Sequence, residues 1–194
     1  MRILVLSAEV WRDDQNGGNV LSNIFRGMDA EFAQVFCNPG QPSNTICRRY
    51  YQLTDSMMLS GLFQKGVAGR LLEYDEYPQD GASPALAQTE NRSFYSFFRR
   101  FRLESFVVAK ELLWRMARWD TPQLREFITS FDPDIIFAPC YASQAMLRLT
   151  RIAASVTGKP VVSYISDDNY TLSQFRLSPV YWGNRLALRR QMRK

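Results

Sequence analysis

The sequence predicts an α/β domain, doubly wound around a mainly parallel sheet of about five or more strands, with helices on both faces. Three observations point there. Short apolar runs of strand type recur at Ile3-Leu4-Val5-Leu6, Phe32-Ala33-Gln34-Val35-Phe36-Cys37 and Ile135-Ile136-Phe137. Stretches with helical spacing of apolar residues separate them. The first strand also feeds a polar loop that ends in Gly17-Gly18 ahead of a helix.

Each element has its own signal. Ile3 to Leu6 is apolar without alternation, as in a strand covered on both faces. Val20, Leu21, Ile24 and Phe25 recur at helical spacing, which leaves Gly17 and Gly18 just before the helix. The second strand, Phe32 to Cys37, stops at the turn Asn38-Pro39-Gly40. Arg49-Tyr50-Tyr51-Gln52-Leu53 is a weaker third strand. Residues 65 to 90 mix Gly, Pro and charge without a period, and the expectation is a mobile surface loop or insertion.

A long helix is expected from Asn91 to Trp119. Phe94, Phe98, Phe101, Val108, Leu112, Met116 and Trp119 would face inward, with Arg92, Arg99, Lys110 and Arg118 outward. Thr121 as N-cap and Pro122 at the first position start a short helix through about Ser130. "DPDIIFAPC" is a strong fourth strand. Residues 142 to 157 form an amphipathic helix with Ala145, Leu149, Ile152 and Val156 inward, closed by Gly158. "KPVVSYISDD" is a fifth strand with an acidic end, and Ser178-Pro179 starts a final basic helix toward Lys194.

Composition limits the chemistry. With 194 residues, 46% of them hydrophobic and 13% aromatic, the chain can bury the core of one globular domain. Cys37, Cys47 and Cys140 lack metal-type or redox-type spacing and read as free thiols of a reducing compartment. The absence of histidine excludes histidine acid/base catalysis, histidine triads and histidine metal sites from this chain. No apolar run approaches the roughly 20 residues of a membrane span, so a cytoplasmic location is expected. The net charge is +5 and the pI about 9.3. Basic residues concentrate in "RRFR" and "RLALRRQMRK", interleaved with apolar groups, which suits either a solvated helix face or peripheral contact with an anionic membrane. No nucleic-acid motif is present.

In open sheets of this kind, ligands bind beyond the carboxyl ends of the strands, where strand order reverses. Three segments should converge there: the loop from Glu9 to Asn19, "PCYAS" after the fourth strand and "SDDNY" after the fifth. A helix N-terminus behind two glycines offers backbone N–H donors to an anion. A dinucleotide fingerprint would need glycines where Ser7-Ala8-Glu9-Val10 stands, and no P-loop lysine precedes the helix.

"RILVLSAEVWRDDQNGGN", "FDPDIIFAP" and "GKPVVSYISDD" together are similar, in order and spacing, to the amino-terminal domain of glycosyltransferases of the two-Rossmann-domain GT-B fold, especially those called family 4-like. The resemblance covers most of residues 1 to 178, apart from the insertion near 65 to 90. It implies a Rossmann-like acceptor-side domain over 1 to 178, with 179 to 194 a basic helix leading toward a carboxy-terminal donor-binding domain. It also implies that Gly17, Gly18 and Asn19 lie at an interdomain cleft near the donor diphosphate and the acceptor. The family commonly has a histidine before an aspartate after the fifth strand; Ser166-Asp167 stands there, which leaves the histidine's role unfilled.

The implied function is transfer of a sugar from a nucleotide-sugar donor to a carbohydrate or lipid-linked hydroxyl acceptor, in polysaccharide or glycoconjugate synthesis. No metal or cofactor is expected, retention at the anomeric carbon is implied, and this half alone is expected to be inactive. The family's paired glutamates belong to the other domain; Glu104 and Glu111, seven positions apart, read as solvated side chains. No catalytic residue is assigned. Asp13 and Asp14 either orient acceptor hydroxyls or are simply solvated, while Asp167 and Asp168 stand at a better-placed strand end. Tyr141 either stacks on a sugar ring or packs, and Arg12 either pairs with a phosphate or lies exposed. The alternative function is a noncatalytic binding or scaffold module that recruits a catalytic partner to a membrane-bound substrate.

Overall fold

The computed structural model describes residues 1–14, 16–63, 68–77, 104–166, 168, 170–171 and 177–193. Twelve elements follow in order: β1 (Arg2–Ser7), α1 (Asn16–Phe25), β2 (Glu31–Phe36), β3 (Arg49–Gln52), α2 (Asp55–Phe63), β4 (Arg70–Glu73), α3 (Glu104–Met116), α4 (Pro122–Phe131), β5 (Ile135–Phe137), α5 (Gln144–Thr157), β6 (Val161–Val162) and α6 (Pro179–Met192).

The six strands form one sheet in the order β4-β3-β2-β1-β5-β6, in which only β4 runs antiparallel to its neighbour. This is a Rossmann-like, doubly wound α/β fold. β1 is central, with Leu4 opposite Ala33 on one side and Ile136 on the other. Its alternate residues serve the two faces. Leu4 and Leu6 pack with Trp114, Trp119, Leu124, Ile128 and Leu149, and Ile3 and Val5 pack with Trp11, Phe25 and Phe32.

The helix boundaries follow their capping residues. Thr121 accepts the Leu124 N–H ahead of Pro122, and Ser143 accepts the Met146 N–H. Gly158, at φ 67°, returns its N–H to the Ala154 carbonyl and closes α5. Ser178 accepts the Tyr181 N–H at the start of α6. Along α5, Leu149 is buried while Ala145, Ile152 and Val156 pack at the rim of the core.

Three expectations are corrected. The stretch from 65 to 90 is not all loop, because Arg70–Glu73 forms the edge strand β4 beside β3. Gly69 precedes it at φ 121°, against the Tyr51 ring, where a Cβ would collide. Residues 78–103 lie outside the described residues, and with them Phe94, Phe98, Phe101, Arg92, Arg99 and the "RRFR" segment. The long helix is described over Glu104–Met116, and its expected inward residues Val108, Leu112 and Met116 are exposed. The buried stripe instead carries Trp114 and then Ala117 beyond the helix end. The fifth strand is short, since only Val161–Val162 pairs as β6 on an exposed edge.

The rotation of α3 has a polar cause. Asp55, buried at the start of α2, accepts the Trp114 indole N–H at 2.5 Å and pairs with Lys110 Nζ at 3.0 Å. Trp119 donates its own N–H to the Trp114 carbonyl at 2.7 Å. The two large indoles and the aspartate outweigh the aliphatic residues on the opposite side. Replacing Asp55 by Ala leaves a buried indole N–H without an acceptor, and the expected loss is about 1–3 kcal/mol. Urea unfolding of Asp55→Ala measures it, and an unchanged midpoint would contradict this packing account.

Candidate functional site

The site is built where the chain changes direction across the sheet. From β1 it runs through β2 and β3 on one side and then returns to β5 on the other, so the switch point lies between β1 and β5. These strands are parallel, and the loops after Ser7 and Phe137 therefore leave the same edge.

The loop after β1 is held by a buried amide. Gln34 in β2 donates to Ser7 Oγ at 2.6 Å and to the Glu9 carbonyl at 2.9 Å, while its oxygen accepts the Trp11 N–H at 3.3 Å. Ser7 Oγ also donates to the Glu9 carbonyl at 2.6 Å. The Trp11 side chain is fully buried against Phe25 and Phe32, and its indole N–H donates to Ser22 Oγ at 2.8 Å. Ser22 in turn donates to Asp13. Asn44 Nδ2 and the Ser43 N–H both reach the Trp11 carbonyl, at 3.1 and 3.0 Å. A loop expected to be long and polar is pinned to the core along its first half.

Gly17 and Gly18 do not precede the helix. They belong to the first turn of α1, which begins at Asn16. Their backbone N–H groups are thereby among those that an α-helix leaves without an intrahelical partner. Asn19 is exposed on the same helix.

Arg12 and the acidic pair are engaged with each other and with the loop. The Arg12 guanidinium bonds both Asp14 carboxylate oxygens, at 2.8 and 2.6 Å, and the Gln41 carbonyl at 3.0 Å. Arg12 holds the Asp14 carboxyl below its ordinary value through that hydrogen bond. Asp13 accepts from Ser22, and its N–H donates to the Ser43 carbonyl at 2.8 Å. These three side chains shape the loop.

The loop after β5 reaches back to the same edge. Tyr141 is partly buried and packs against the core, with its phenol beside the Ala8–Glu9 turn. Burial pushes the phenol up to about 12. The ring packs against the core instead of standing free. Beyond β6 the chain continues alongside, where the Cys140 N–H donates to the Tyr164 carbonyl at 2.8 Å and brings exposed Ser166 toward this edge.

Asp167 lies outside the described residues. Asp168 is exposed and accepts the N–H groups of Tyr170 and Thr171 at 3.1 and 2.9 Å, together with the Thr171 hydroxyl. The Thr171 hydroxyl leads the interactions that hold its carboxyl below the ordinary value. Its role is to close a turn, and Arg185 donates to its carbonyl at 2.6 Å.

Two further residues bear on the site. Gln34 is the loop's organiser, and a polar residue inside the apolar run "FAQVF" was its sequence signal. Glu9 is exposed at the end of the Gln34-held turn, next to Tyr141, and its carboxylate has no ion pair or hydrogen bond among the described residues. Glu111, expected to be solvated, instead caps α5 by accepting the N–H groups of Gln144 and Ala145 at 3.0 and 3.1 Å. Among the described residues no group of three or more His, Cys, Asp or Glu could hold a metal ion, and no helix is long and apolar enough to cross a membrane.

Comparison with protein-family models, with curated proteins and with solved structures found no match.

Burial sets an alkaline limit on the fold around this edge. Cys37, beside Met146, and Cys47, in the opposite core, are pushed by burial from 9.0 to about 12, and Tyr141 from 10.0 to about 12. Folding favours the protonated forms, so their contribution is fully present below about pH 9 and is lost as pH rises toward 12. The urea midpoint should fall over that window, less steeply in Cys37→Ala and, above about pH 10, in Tyr141→Phe. A midpoint independent of pH up to 12 would contradict this.

Proposed function

We propose that the chain is the acceptor-side domain of a glycosyltransferase that moves a sugar from a nucleotide-sugar donor to a hydroxyl acceptor. The observation that supports it best is that the loop leaving β1 at the switch point carries both Glu9, whose carboxylate is unpaired among the described residues, and the N-terminus of α1. The resemblance of three segments, in order, to GT-B amino-terminal domains supports it independently.

In this reading the N–H groups of the first turn of α1 stabilise the charge that develops on the departing diphosphate. Glu9 accepts a hydrogen bond from the acceptor hydroxyl and orients it toward the sugar. Tyr141 backs the Glu9 turn from the other side by packing beside it. A second domain holds the nucleotide. Carbohydrate or lipid-linked acceptors fit an open, polar edge of this kind, and in this reading the reaction needs no metal.

The test is sugar transfer from labelled nucleotide sugars by the protein expressed from its complete gene. Glu9→Gln should lower turnover by about 10²-fold, the scale of a positioned acid/base group, with unchanged thermal unfolding. Gly18→Val should cost about 10²–10³-fold through the lost approach to a backbone donor. Near-normal turnover in Glu9→Gln would overturn the site assignment. A folded protein that transfers no sugar from any donor tried would favour the scaffold reading.

A further inference from the structure

A groove of about 600 Å³ runs between α3, α5 and α6, and none of the candidate cleft residues lines it. Four arginines face it from the three helices: Arg115, Arg148, Arg151 and Arg190. Glu111 is the one carboxylate on its wall among the described residues, and both its oxygens are already occupied by the first N–H groups of α5. Arg148 is fixed by stacking over the Trp119 ring at 4.9 Å. None of the ion pairs among the described residues involves Arg115, Arg151 or Arg190.

Like charges gathered around one concavity repel, and focus a positive potential into it. Guanidinium forks match phosphate oxygens in pairs, which makes a phosphoryl group the chemical complement of this wall. A second feature narrows the ligand further. Gln191 lines the same groove with its side-chain oxygen shielded from solvent and without a hydrogen-bond partner. That oxygen needs a donor, which the dianionic phosphoryl group of an ester does not carry and an organic hydroxyl supplies. Leu186, Ala187 and Trp114 complete the wall with apolar surface. The volume lies within the roughly 300–1,000 Å³ of small-molecule sites.

We propose that this groove binds a phosphate-bearing organic molecule with free hydroxyl groups, at a site separate from the switch-point cleft. The arginines take the phosphoryl oxygens, and Gln191 takes a hydroxyl. A soluble nucleotide and a phospholipid headgroup with hydroxyls share this chemistry, and two arms of one experiment distinguish them.

In the first arm, the purified chain is titrated calorimetrically with adenosine 5′-diphosphate and with inorganic pyrophosphate. In the second, it is co-sedimented with phosphatidylglycerol–phosphatidylcholine vesicles and with phosphatidylcholine alone. Saturable binding is expected in one arm, weakening with added salt. The double variant Arg151→Gln/Arg190→Gln should weaken it about tenfold or more, and Arg115→Gln alone provides the same readout should the double variant fail to fold. Gln191→Leu should weaken adenosine 5′-diphosphate more than pyrophosphate when both are titrated above about pH 9.5, where pyrophosphate has lost its last proton. Gly18→Val, in the cleft, should change none of these affinities. Binding confined to phosphatidylglycerol vesicles identifies a headgroup, and binding of the soluble ligand identifies a free phosphate compound. No saturable binding in either arm, or binding indifferent to the arginine changes, overturns the proposal. Because no sugar transfer is measured, the outcome is independent of the glycosyltransferase reading.

Discussion

The side-chain amide of Gln34 is the constraint on which the edge of this sheet depends. It sits inside β2, fixed by a parallel register that pairs Val5 with Gln34 and continues to Ser7 and Phe36. From there it satisfies Ser7 Oγ, the Glu9 carbonyl and the Trp11 N–H in a fully buried setting. Buried polar groups left without partners cost about 1–3 kcal/mol each, so the turn after β1 has little freedom to adopt another path. Trp11 then anchors the next segment in the aromatic cluster with Phe25 and Phe32. The consequence is that Glu9 stands on a backbone held at its own carbonyl and at the Trp11 N–H, the preorganisation that the proposed role of this loop requires.

Polar groups inside the core also explain where residue patterns alone fall short. β1 was legible because it is apolar on both faces, and α4, α5 and α6 were legible because Thr121, the closing Gly158 and Ser178 are capping residues at the right places; the N-cap of α5, Ser143, lay inside the expected helix. β4 was not legible. Its Arg-Leu-Leu-Glu run has no strand period, and it is held by pairing with β3 and by Arg49–Glu73 at 3.1 Å. The facing of α3 was not legible either, since the aspartate that fixes it lies on α2, 59 residues from Trp114 in the chain. At the candidate site the sequence showed a loop after β1, but the helix starts earlier than expected, at Asn16, and the pairing of Arg12 with Asp14 depends on the turn that Trp11 imposes. An exposed-looking charged pair and a turn-closing one read alike in sequence.

The basic character of the chain is likewise structured. Arg12, Arg49 and Arg125 are paired with carboxylates of the loop and the sheet rim, whereas Arg115, Arg151 and Arg190 gather on one groove without such partners. The described residues therefore separate two chemistries: a switch-point edge carrying Glu9, and a cationic groove between α3, α5 and α6. A net charge of +5 describes neither of them. Local accounting of partners, residue by residue, distinguishes them.

The most direct test of the central claim, a preorganised loop after β1, is amide hydrogen exchange at Trp11 and Asp13. Both N–H groups are bonded, to Gln34 and to the Ser43 carbonyl, so they should exchange as slowly as the amides of the sheet core and become fast in Gln34→Leu while β2 itself stays protected. Exchange of Trp11 and Asp13 at the rate of an open loop in the wild-type chain would contradict the account.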